Sequence, residues 1–394
     1  MHVNELLKIA VERNASDLHL KVGSHPVLRI NGDLVPLSTE PMLAYEDLAT
    51  AATTIMPPEH QRKFKTSNEV DLAYSVQGLG RFRCNVFQQR STIGIVIRVI
   101  PWKVKTVDEL MLPPVFKTIA NEERGLVLVT GTTGSGKSSS LAGMIDYING
   151  SRPAHVMTIE DPIEYLHRDN LCIINQREIG IDTQSFANAL RSALRQDPDV
   201  ILVGEMRDQE TIEIALHAAE TGHLVFSTLH TLDATETINR IISVFPPHQH
   251  KQIRLQLATV LRAAIAQRLM PRADGLGRVP AVEVLVATPF IKDCMVDKDK
   301  THLIQTAIAQ GVSQYGMQTF DQSIFGLLQN GLVTYEEALR WASKVDEFKM
   351  RVQGISGTAD DARDQMASAV IGSGKSAGAA VATAAQPEIM RFGK

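Results

Sequence analysis

The sequence predicts an α/β protein with a compact α+β unit over residues 1–100, followed by a mostly parallel sheet covered by helices. In residues 1–100, helix-like and strand-like segments follow the order helix, strands, helix, strands. After a proline-bounded stretch at 101–114, strand-like and helix-like segments alternate. A glycine-rich loop at 131–138 then connects an apolar, strand-like run to a helix-like segment. Alternation of this kind is typical of a parallel sheet with helices on its faces.

The composition is ordinary for a soluble globular protein. The chain has 394 residues, of which 44% are hydrophobic and 21% are charged, enough for more than one core. No apolar run approaches the ~20 residues that a membrane span needs. Glu5, Lys8 and Glu12 interrupt the first apolar segment, so a signal peptide is not indicated and we expect a cytosolic location.

Charge and cysteine usage narrow the function classes. The formal net charge is −4 and the sequence pI is about 6.3, so no global basic surface for nucleic acid is indicated and no nucleic-acid partner is expected. Cys84, Cys172 and Cys294 are far apart and form no C-x-x-C pair, which predicts buried, reduced thiols rather than a zinc site or disulfides.

Elements of the first 100 residues follow from local patterns. Apolar residues at helical spacing predict helices at 3–13 and 45–55, the second ending at Pro57-Pro58. Asn31-Gly32 between apolar residues predicts a hairpin over 27–35. Alternating or β-branched runs predict further strands at 17–22, 69–76, 81–88 and 93–99.

The rest of the chain divides into a sheet-forming and a helical part. Strands are predicted at 126–130, 155–159, 200–203 and 224–228, and helices after the glycine-rich loop, at 185–195 and at 209–220. Beyond residue 234 helices are expected to dominate, at 236–244, 249–269 and onward to about 352. The segment 354–394 is rich in Gly, Ala and Ser, and we expect it to be disordered.

The glycine-rich loop carries the clearest chemical signal. Residues 131–138 (GTTGSGKS) fit G-x-x-x-x-G-K-[ST] in the strand–loop–helix context that a phosphate loop requires. Backbone N–H groups of such a loop bind phosphate oxygens, Lys137 reaches the β- and γ-phosphates, and the Ser138 hydroxyl holds Mg²⁺. The sequence therefore predicts an ATP·Mg²⁺ site formed by Gly131, Thr132, Thr133, Gly134, Ser135, Gly136, Lys137, Ser138 and Ser139.

Acidic residues follow two of the predicted strands. Glu160, Asp161 and Glu164 form a cluster that is suited to activating water near a metal, although a helix-capping acidic turn gives the same pattern. Glu205 follows the apolar run 200–203, as a metal-binding Walker B carboxylate does, and a plain buried strand with a solvent-side Glu is the alternative.

Histidines and arginines complete the candidate set. His223 and His230 bracket the strand at 224–228, where an imidazole could sense a γ-phosphate, although such histidines are more often structural. Arg81 and Arg83 lie on one face of a strand and could supply charge to the phosphates, while surface salt bridges are the alternative.

Taken together, these motifs resemble the PilT/PilU family of type IV pilus retraction ATPases, within the secretion and traffic NTPases. The resemblance spans roughly residues 3–350. The segments that carry it are 15–19 (ASDLH), 80–83 (GRFR), the phosphate loop, 160–165 (EDPIEY), 175–178 (NQRE), 189–195, 204–208 (GEMRD), 219–231 and 316–321.

The resemblance implies a PAS-like amino-terminal domain over 1–100, a linker at 101–114 and a RecA-like ATPase domain with carboxy-terminal helices over 115–353. It implies that Glu164 is the general base, Glu205 the Walker B carboxylate, and His230 a phosphate sensor supported by His223. Arg81 and Arg83 would reach the phosphates when the domains close.

The resemblance also implies partners and a location. These are a homo-hexameric ring, an inner-membrane pilus platform protein, a paralogous retraction ATPase, and a cytoplasmic position at the inner face of the inner membrane at the pilus base. The implied function is pilus retraction, hence twitching motility, driven by ATP hydrolysis.

One segment departs from the family pattern. Retraction motors carry an A-I-R-N-L-I-R-E helix, whereas residues 290–297 read FIKDCMVD and lack both arginines. The alternative is therefore an accessory ATPase that depends on a partner motor. A DNA-translocating RecA-like motor is disfavoured by the acidic net charge.

Overall fold

The structure is a computed structural model that describes residues 2–30, 32–101 and 104–354. Asn31 of the predicted hairpin turn lies outside the described residues. So does 355–394, which holds nearly all of the predicted disordered segment.

Residues up to 100 form an antiparallel sheet with helices packed on it. The elements are α1 (Val3–Glu12), β1 (Asp17–Lys21), β2 (Val27–Ile30), β3 (Asp33–Pro36), α2 (Tyr45–Ile55), α3 (Pro58–Ser67), β4 (Glu69–Val76), β5 (Gly80–Gln89) and β6 (Thr92–Ile100). The strand order is β3-β2-β1-β6-β5-β4, and each neighbouring pair is antiparallel. Its buried apolar side chains, from Val3 to Ile97, form one cluster, so this part has its own core.

Along strand β5, buried and more exposed side chains alternate. Phe82, Cys84 and Val86 are buried in the cluster, whereas Arg81 is partly exposed and Arg83 is exposed. Alternate residues of a strand point to opposite faces, so both arginines lie on the face away from the core.

The sequence patterns missed α3. None of its residues is buried, so the segment has no apolar periodicity to reveal it. Pro58 at the first position and Asn68 in the left-handed conformation at the end mark its boundaries instead.

The central part builds the second sheet. Its elements are α4 (Val115–Ala120), β7 (Gly125–Thr130), α5 (Lys137–Ser151), β8 (His155–Glu160), β9 (Ile173–Glu178), α6 (Phe186–Ala193), β10 (Val200–Val203), α7 (Gln209–Glu220), β11 (Leu224–Leu229), α8 (Ala234–Ser243), a 3₁₀ turn (Pro247–Gln249), α9 (His250–Val260), β12 (Leu261–Pro271) and β13 (Arg278–Val286). The strand order is β13-β12-β7-β11-β10-β8-β9.

Six strands of this sheet are parallel, and β13 is antiparallel to β12. The carboxyl ends of the parallel strands therefore meet at one edge, where ligands bind in open α/β sheets. The loops after β7, β8, β10 and β11 emerge together at this edge.

Helices cover both faces of the sheet. Leu126 and Leu128 of β7 pack into a cluster with α6 to α9, while Val127 and Val129 pack into another with α4 and α5. Such two-sided burial explains the continuous apolar runs of these strands.

Short helices follow β13. They are α10 (Pro289–Val296), a 3₁₀ segment (Lys298–Leu303), α11 (Ile304–Gln310), α12 (Val312–Tyr315), α13 (Phe320–Gln329), α14 (Tyr335–Trp341) and α15 (Val345–Val352). Helices α13 to α15 pack with the ends of β12 and β13 around Phe320, Ile324 and Phe348.

The predicted helix at 249–269 is wrong in its second half. Helix α9 ends at Val260, and β12 begins at Leu261 between β7 and β13. The run Ala263–Ala266 is fully buried, and periodicity cannot distinguish a buried strand from a buried helix. Pairing with a strand on each side overrides the helix propensity of the alanines.

The proline-bounded stretch at 101–114 is partly anchored. Val107 and Leu112 are buried with Phe116 in the cluster beneath α5. A Cβ on Gly143 of α5 would lie 3.0 Å from the Lys105 carbonyl oxygen, so the helix packs closely against this stretch. Among the described helices, none has the length and apolar character needed to cross a membrane.

Candidate nucleotide-binding site

The loop between β7 and α5 has a backbone that favours glycine. Gly131, Gly134 and Gly136 have φ values of 138°, 78° and 93°. L-residues with a Cβ rarely adopt these values. Two of the glycines are also crowded, because a Cβ would lie 2.4 Å from the Gln267 carbonyl oxygen at Gly131 and 2.7 Å from Gln267 Nε2 at Gly136.

Lys137 begins α5, and its side chain turns back over the loop. Its Nζ donates to the carbonyl oxygens of Gly131 (2.8 Å) and Thr132 (3.1 Å). Burial lowers the pKa of Lys137, while the charges of Glu205 and Glu164 raise it. The buried Ser135 hydroxyl has no hydrogen-bond partner among the described residues. Helix N-terminus, lysine and unpaired hydroxyl together fit a phosphate group.

A cavity of about 410 Å³ opens at this loop. The predicted site residues that line it are Thr133, Gly134, Ser135, Gly136, Lys137, Ser138, Ser139, Glu164, Glu205 and His230. Gly131 and Thr132 lie at the base of the loop, where their carbonyls accept from Lys137. The structure thus brings together most of the predicted nucleotide-binding residues.

Glu205 follows β10, and its carboxylate contacts two basic side chains, Arg207 and His230. Its Oε2 lies 2.7 Å from Arg207 Nη2, and its Oε1 lies 3.3 Å from His230 Nε2. Hydrogen bonding to Glu205 raises the pKa of Arg207. The Glu205 side chain is 18% exposed and that of His230 is 46% exposed, so both are accessible from the cavity.

The acidic cluster after β8 contains two different carboxylates. Glu160 Oε1 accepts from the Thr158 hydroxyl (2.6 Å) and the Gln176 amide (3.2 Å), and burial raises its pKa. Glu164 is exposed, and no described side chain hydrogen-bonds to its carboxylate. Both carboxylates line the cavity, but hydrogen bonds hold that of Glu160 in place, whereas that of Glu164 is exposed.

The loop bearing Glu164 contacts the phosphate loop directly. The Tyr165 hydroxyl lies 2.7 Å from Ser139 Oγ at the start of α5. The peptide bond between Asp161 and Pro162 is cis. His167, farther along this loop, also lines the cavity, and burial lowers its pKa to about 4.

His223 is not brought to the cavity. It precedes β11 and makes hydrogen-bonding contacts with the Ala218 carbonyl (2.9 Å) and Thr221 Oγ1 (3.3 Å) at the end of α7. His230 follows the other end of the strand, so the length of the six-residue β11 separates the two histidines. Within this chain, a supporting role of His223 at the phosphate has no geometric basis.

The two arginines of β5 lie near the loop after β8, but not in the cavity itself. Arg81 Nη2 donates to Glu178 Oε2 at 2.6 Å. Arg83 lines a smaller cavity of about 180 Å³ together with Glu164 and Tyr165. Arg83 thus shares a cavity with the predicted base, whereas Arg81 contacts Glu178.

Several cavity-lining or supporting residues escaped the sequence analysis. Gln267 of β12 buttresses the phosphate loop, but its strand was predicted as helix, so no signal pointed to it. Arg278 lines the cavity from the start of β13. Gln176 and Glu178 fall in a quoted family segment to which the sequence analysis assigned no role.

The donor set fits Mg²⁺. Ser138 and Glu205 line the same cavity and present the oxygen ligands that Mg²⁺ prefers. In the described part of the chain, no three His, Cys, Asp or Glu side chains cluster as a metal site.

Comparison with known proteins identifies the family. Residues 1–316 match the family described as type II/IV secretion system protein. The chain belongs to this family. It is therefore an ATPase with a RecA-like P-loop core.

Individual members of the type II/IV secretion family are similar over most of the chain. The type IV pilus retraction ATPase PilT of Pseudomonas aeruginosa is 46% identical, covering 88% of this chain and 100% of the relative. The type IV pilus ATPase PilU of the same organism is 41% identical, covering 90% and 92%.

Solved structures agree with this placement. A crystal structure of the pilus retraction motor PilT with bound ADP has a TM-score of 0.81 and 44% identity, covering 88% of this chain and 98% of that one. The ATPase DotB of Legionella pneumophila has a TM-score of 0.73 and 27% identity, covering 90% and 96%.

Proposed function

We propose that this chain is the subunit of a hexameric ATPase motor that retracts type IV pili. The observation that carries the proposal is the cavity shared by Lys137, Ser138, Glu164 and Glu205. Phosphate-binding, metal-binding and water-activating groups all face one space there. The similarity to a pilus retraction ATPase over nearly the whole of that relative supports the same conclusion.

In this proposal, backbone N–H groups of residues 131–139 and the Lys137 ammonium hold the phosphates of ATP. Glu164 accepts a proton from the attacking water, because its carboxylate is exposed to the cavity and free of described hydrogen bonds. Glu160, which is held by Thr158 and Gln176, lines the same cavity. His230, which already contacts Glu205, senses the γ-phosphate by hydrogen bonding.

Ser138 and Glu205 would hold Mg²⁺, directly or through water. When bound, the ion neutralises negative charge that develops on the phosphates. Arg207 contacts one carboxylate oxygen of Glu205 and His230 contacts the other, so these two side chains set the orientation of the carboxylate.

The two sheets are proposed as parts of two domains, over 1–100 and 115–353, connected through 101–114. Arg83 lines a small cavity together with the proposed base, which makes it the first candidate for an arginine that reaches the phosphates when the domains close. Such an arginine is worth ~10³–10⁵ in rate in P-loop enzymes. Arg81 would have to leave Glu178 to do the same.

The ring is proposed to act in the cytoplasm, at the inner face of the inner membrane. Its partners would be a pilus platform protein and a paralogous ATPase. Comparable identity to PilT and PilU leaves a second candidate, an accessory ATPase that needs a partner motor. Residues 290–297 form most of α10 and its carboxy-terminal cap, and Phe290 there is exposed. This segment lacks both arginines of the retraction-motor helix, which favours the accessory candidate.

The catalytic proposal is tested by phosphate release from the purified full-length chain. Glu164→Gln is expected to reduce kcat by at least about 100-fold, the size of a general-base contribution. Glu336→Gln, an exposed carboxylate on α14, serves as the matched control and should leave kcat unchanged. Equal turnover of wild type and Glu164→Gln would reject Glu164 as the base.

Deletion of the gene separates the two candidates. Cells that keep their pili but no longer twitch would support an essential retraction motor. Normal twitching would instead support the accessory candidate.

A further inference from the structure

Strand β9 lies at the edge of the second sheet and faces the loop that follows β8. Gln176 and Glu178 are two residues apart, so both side chains lie on one face of the strand. Each makes polar contacts with this loop. Neither residue has a role in the proposed chemistry.

Gln176 makes three hydrogen bonds to this loop and its preceding strand end. Its amide nitrogen donates to Glu160 Oε1 (3.2 Å) and to the Tyr165 carbonyl (2.9 Å). Its amide oxygen accepts from the His167 N–H (2.9 Å). One side chain thus uses both ends of its amide to fix the loop on either side of Glu164.

Glu178 connects the same loop to the amino-terminal sheet. Its Oε2 accepts from the Ile163 N–H (3.3 Å) and from Arg81 Nη2 (2.6 Å). A single oxygen therefore joins the residue before Glu164 to strand β5. The Glu178 side chain is only 6% exposed and that of Arg81 is 19% exposed, so the pair is largely removed from solvent.

The loop has a third attachment at the phosphate loop, where the Tyr165 hydroxyl contacts Ser139. Its position is thus set jointly by β9, by the start of α5 and by Arg81. Partners of a buried, hydrogen-bonded charge pair cannot drift apart without leaving an unpaired charge. The Glu178 carboxylate accordingly links the amino-terminal sheet to the backbone beside Glu164.

We propose that Gln176 and Glu178 are positioning residues for Glu164: Gln176 fixes the loop that carries it, and Glu178 couples that loop to Arg81 of the amino-terminal sheet. The proposal rests on the proposed function, in which Glu164 is the base. It makes the arrangement of the two sheets a determinant of turnover, because release of Arg81 loosens the loop.

The test measures kcat and KM for ATP on the full-length chain, together with backbone amide exchange over residues 161–168. Gln176→Ala is expected to lower kcat ~10–100-fold, since small displacements of a catalytic group have effects of this size, with KM changed less than about threefold. Exchange at Ile163 and His167 should increase. Glu178→Gln keeps an oxygen for the Ile163 N–H but removes the charge, and should lower kcat by a smaller factor.

Asn175→Ala is the matched control. Asn175 lies on the opposite face of β9 and contacts His155, away from the loop. It should leave both kcat and loop exchange at wild-type values. A loss equal to that of Gln176→Ala would show a general effect on β9 and would overturn the proposal.

Arg81→Ala tests the coupling. If Glu178 acts through Arg81, the double variant Arg81→Ala/Glu178→Gln should turn over no more slowly than the slower single variant. Losses that multiply would reject the coupling.

Failure of this inference can be distinguished from failure of the proposed function. Low turnover of Glu164→Gln with wild-type kcat in Gln176→Ala and Glu178→Gln would reject only the positioning roles. Wild-type turnover of Glu164→Gln would reject the role of Glu164 itself.

Discussion

At the scale of single residues, Gly131 and Gly134 share a positive φ but have different surroundings. A Cβ on Gly131 would meet the Gln267 carbonyl and Ser135, whereas a Cβ on Gly134 has nothing within 4 Å. The phosphate loop therefore needs glycine for two separate reasons. The positive φ requires glycine at both positions, whereas the close approach of β12 requires it only at Gly131.

The difference predicts unequal effects of the same substitution. Gly134→Ala should destabilise the nucleotide-free protein by about 1–2 kcal/mol, the cost of a Cβ at positive φ. Gly131→Ala should destabilise it by a further ~1–3 kcal/mol, because the backbone must shift to relieve the overlap. Urea unfolding of both variants measures the difference. Equal destabilisation would show that Gln267 does not crowd the loop.

How far sequence predicted the site depended on whether spacing alone fixes geometry. Residues 131–139 form a contiguous motif, so their convergence followed from the pattern. Glu205 and His230 follow neighbouring parallel strands, β10 and β11, which brings them together. His223 is near His230 in sequence but lies at the opposite end of β11. The Arg81–Glu178 contact joins two sheets, and no local pattern encodes it.

At the scale of elements, the phosphate loop depends on how α5 meets β12. Ser140 Oγ of α5 donates to Gln267 Oε1 of β12 at 2.8 Å, and both side chains are buried. A buried polar group is expensive to leave unpaired. This bond therefore helps fix the helix start against the sheet.

Removing both partners should cost less than the sum of the two single removals. Gln267→Ala is expected to destabilise the protein by about 2–3 kcal/mol, because it leaves a space and an unpaired Ser140 hydroxyl. Adding Ser140→Ala should cost less than the two single effects combined, with a coupling of about 1 kcal/mol. Thermal or urea unfolding of the wild type, both single variants and the double variant measures this coupling. Gln329→Ala, at an exposed position of α13, serves as control. Strict additivity would contradict the bond.

Element prediction succeeded where a pattern had one interpretation. Strands β4 and β10 and helix α7 have the bounds that the sequence analysis gave them. Strand β9 was missed because IINQRE contains only two apolar residues and lies at the sheet edge. Strand β12 was assigned as helix because its alanine-rich run is compatible with both structures, and its pairing with β7 decides between them.

At the scale of the whole molecule, the first 100 residues have a core independent of the second sheet. The buried cluster there draws only on residues from Val3 to Ile97. Contact with the second sheet includes the Arg81–Glu178 pair, which is polar. Polar contacts between separate cores are typical of domains that move relative to each other.

A chain of residues 1–100 is therefore expected to fold without the remainder. It should unfold cooperatively in urea, with a stability on the order of 5 kcal/mol for a domain of this size. Circular dichroism follows the transition, and the stability of the full-length chain provides the comparison. A broad, non-cooperative loss of signal would show that this part needs the second sheet to fold.

The three buried cysteines are distributed so that each belongs to a different core. Cys84 lies in the amino-terminal cluster, Cys172 in the cluster beneath α5 and Cys294 in the one on the opposite face of the sheet. Burial raises the pKa of all three thiols, to about 12 for Cys84. Thiolate is the reactive form, so alkylation must wait for local opening. The alkylation rate of each thiol therefore reports how often the core around it opens. Mass spectrometry after timed labelling can rank the order in which the three cores open.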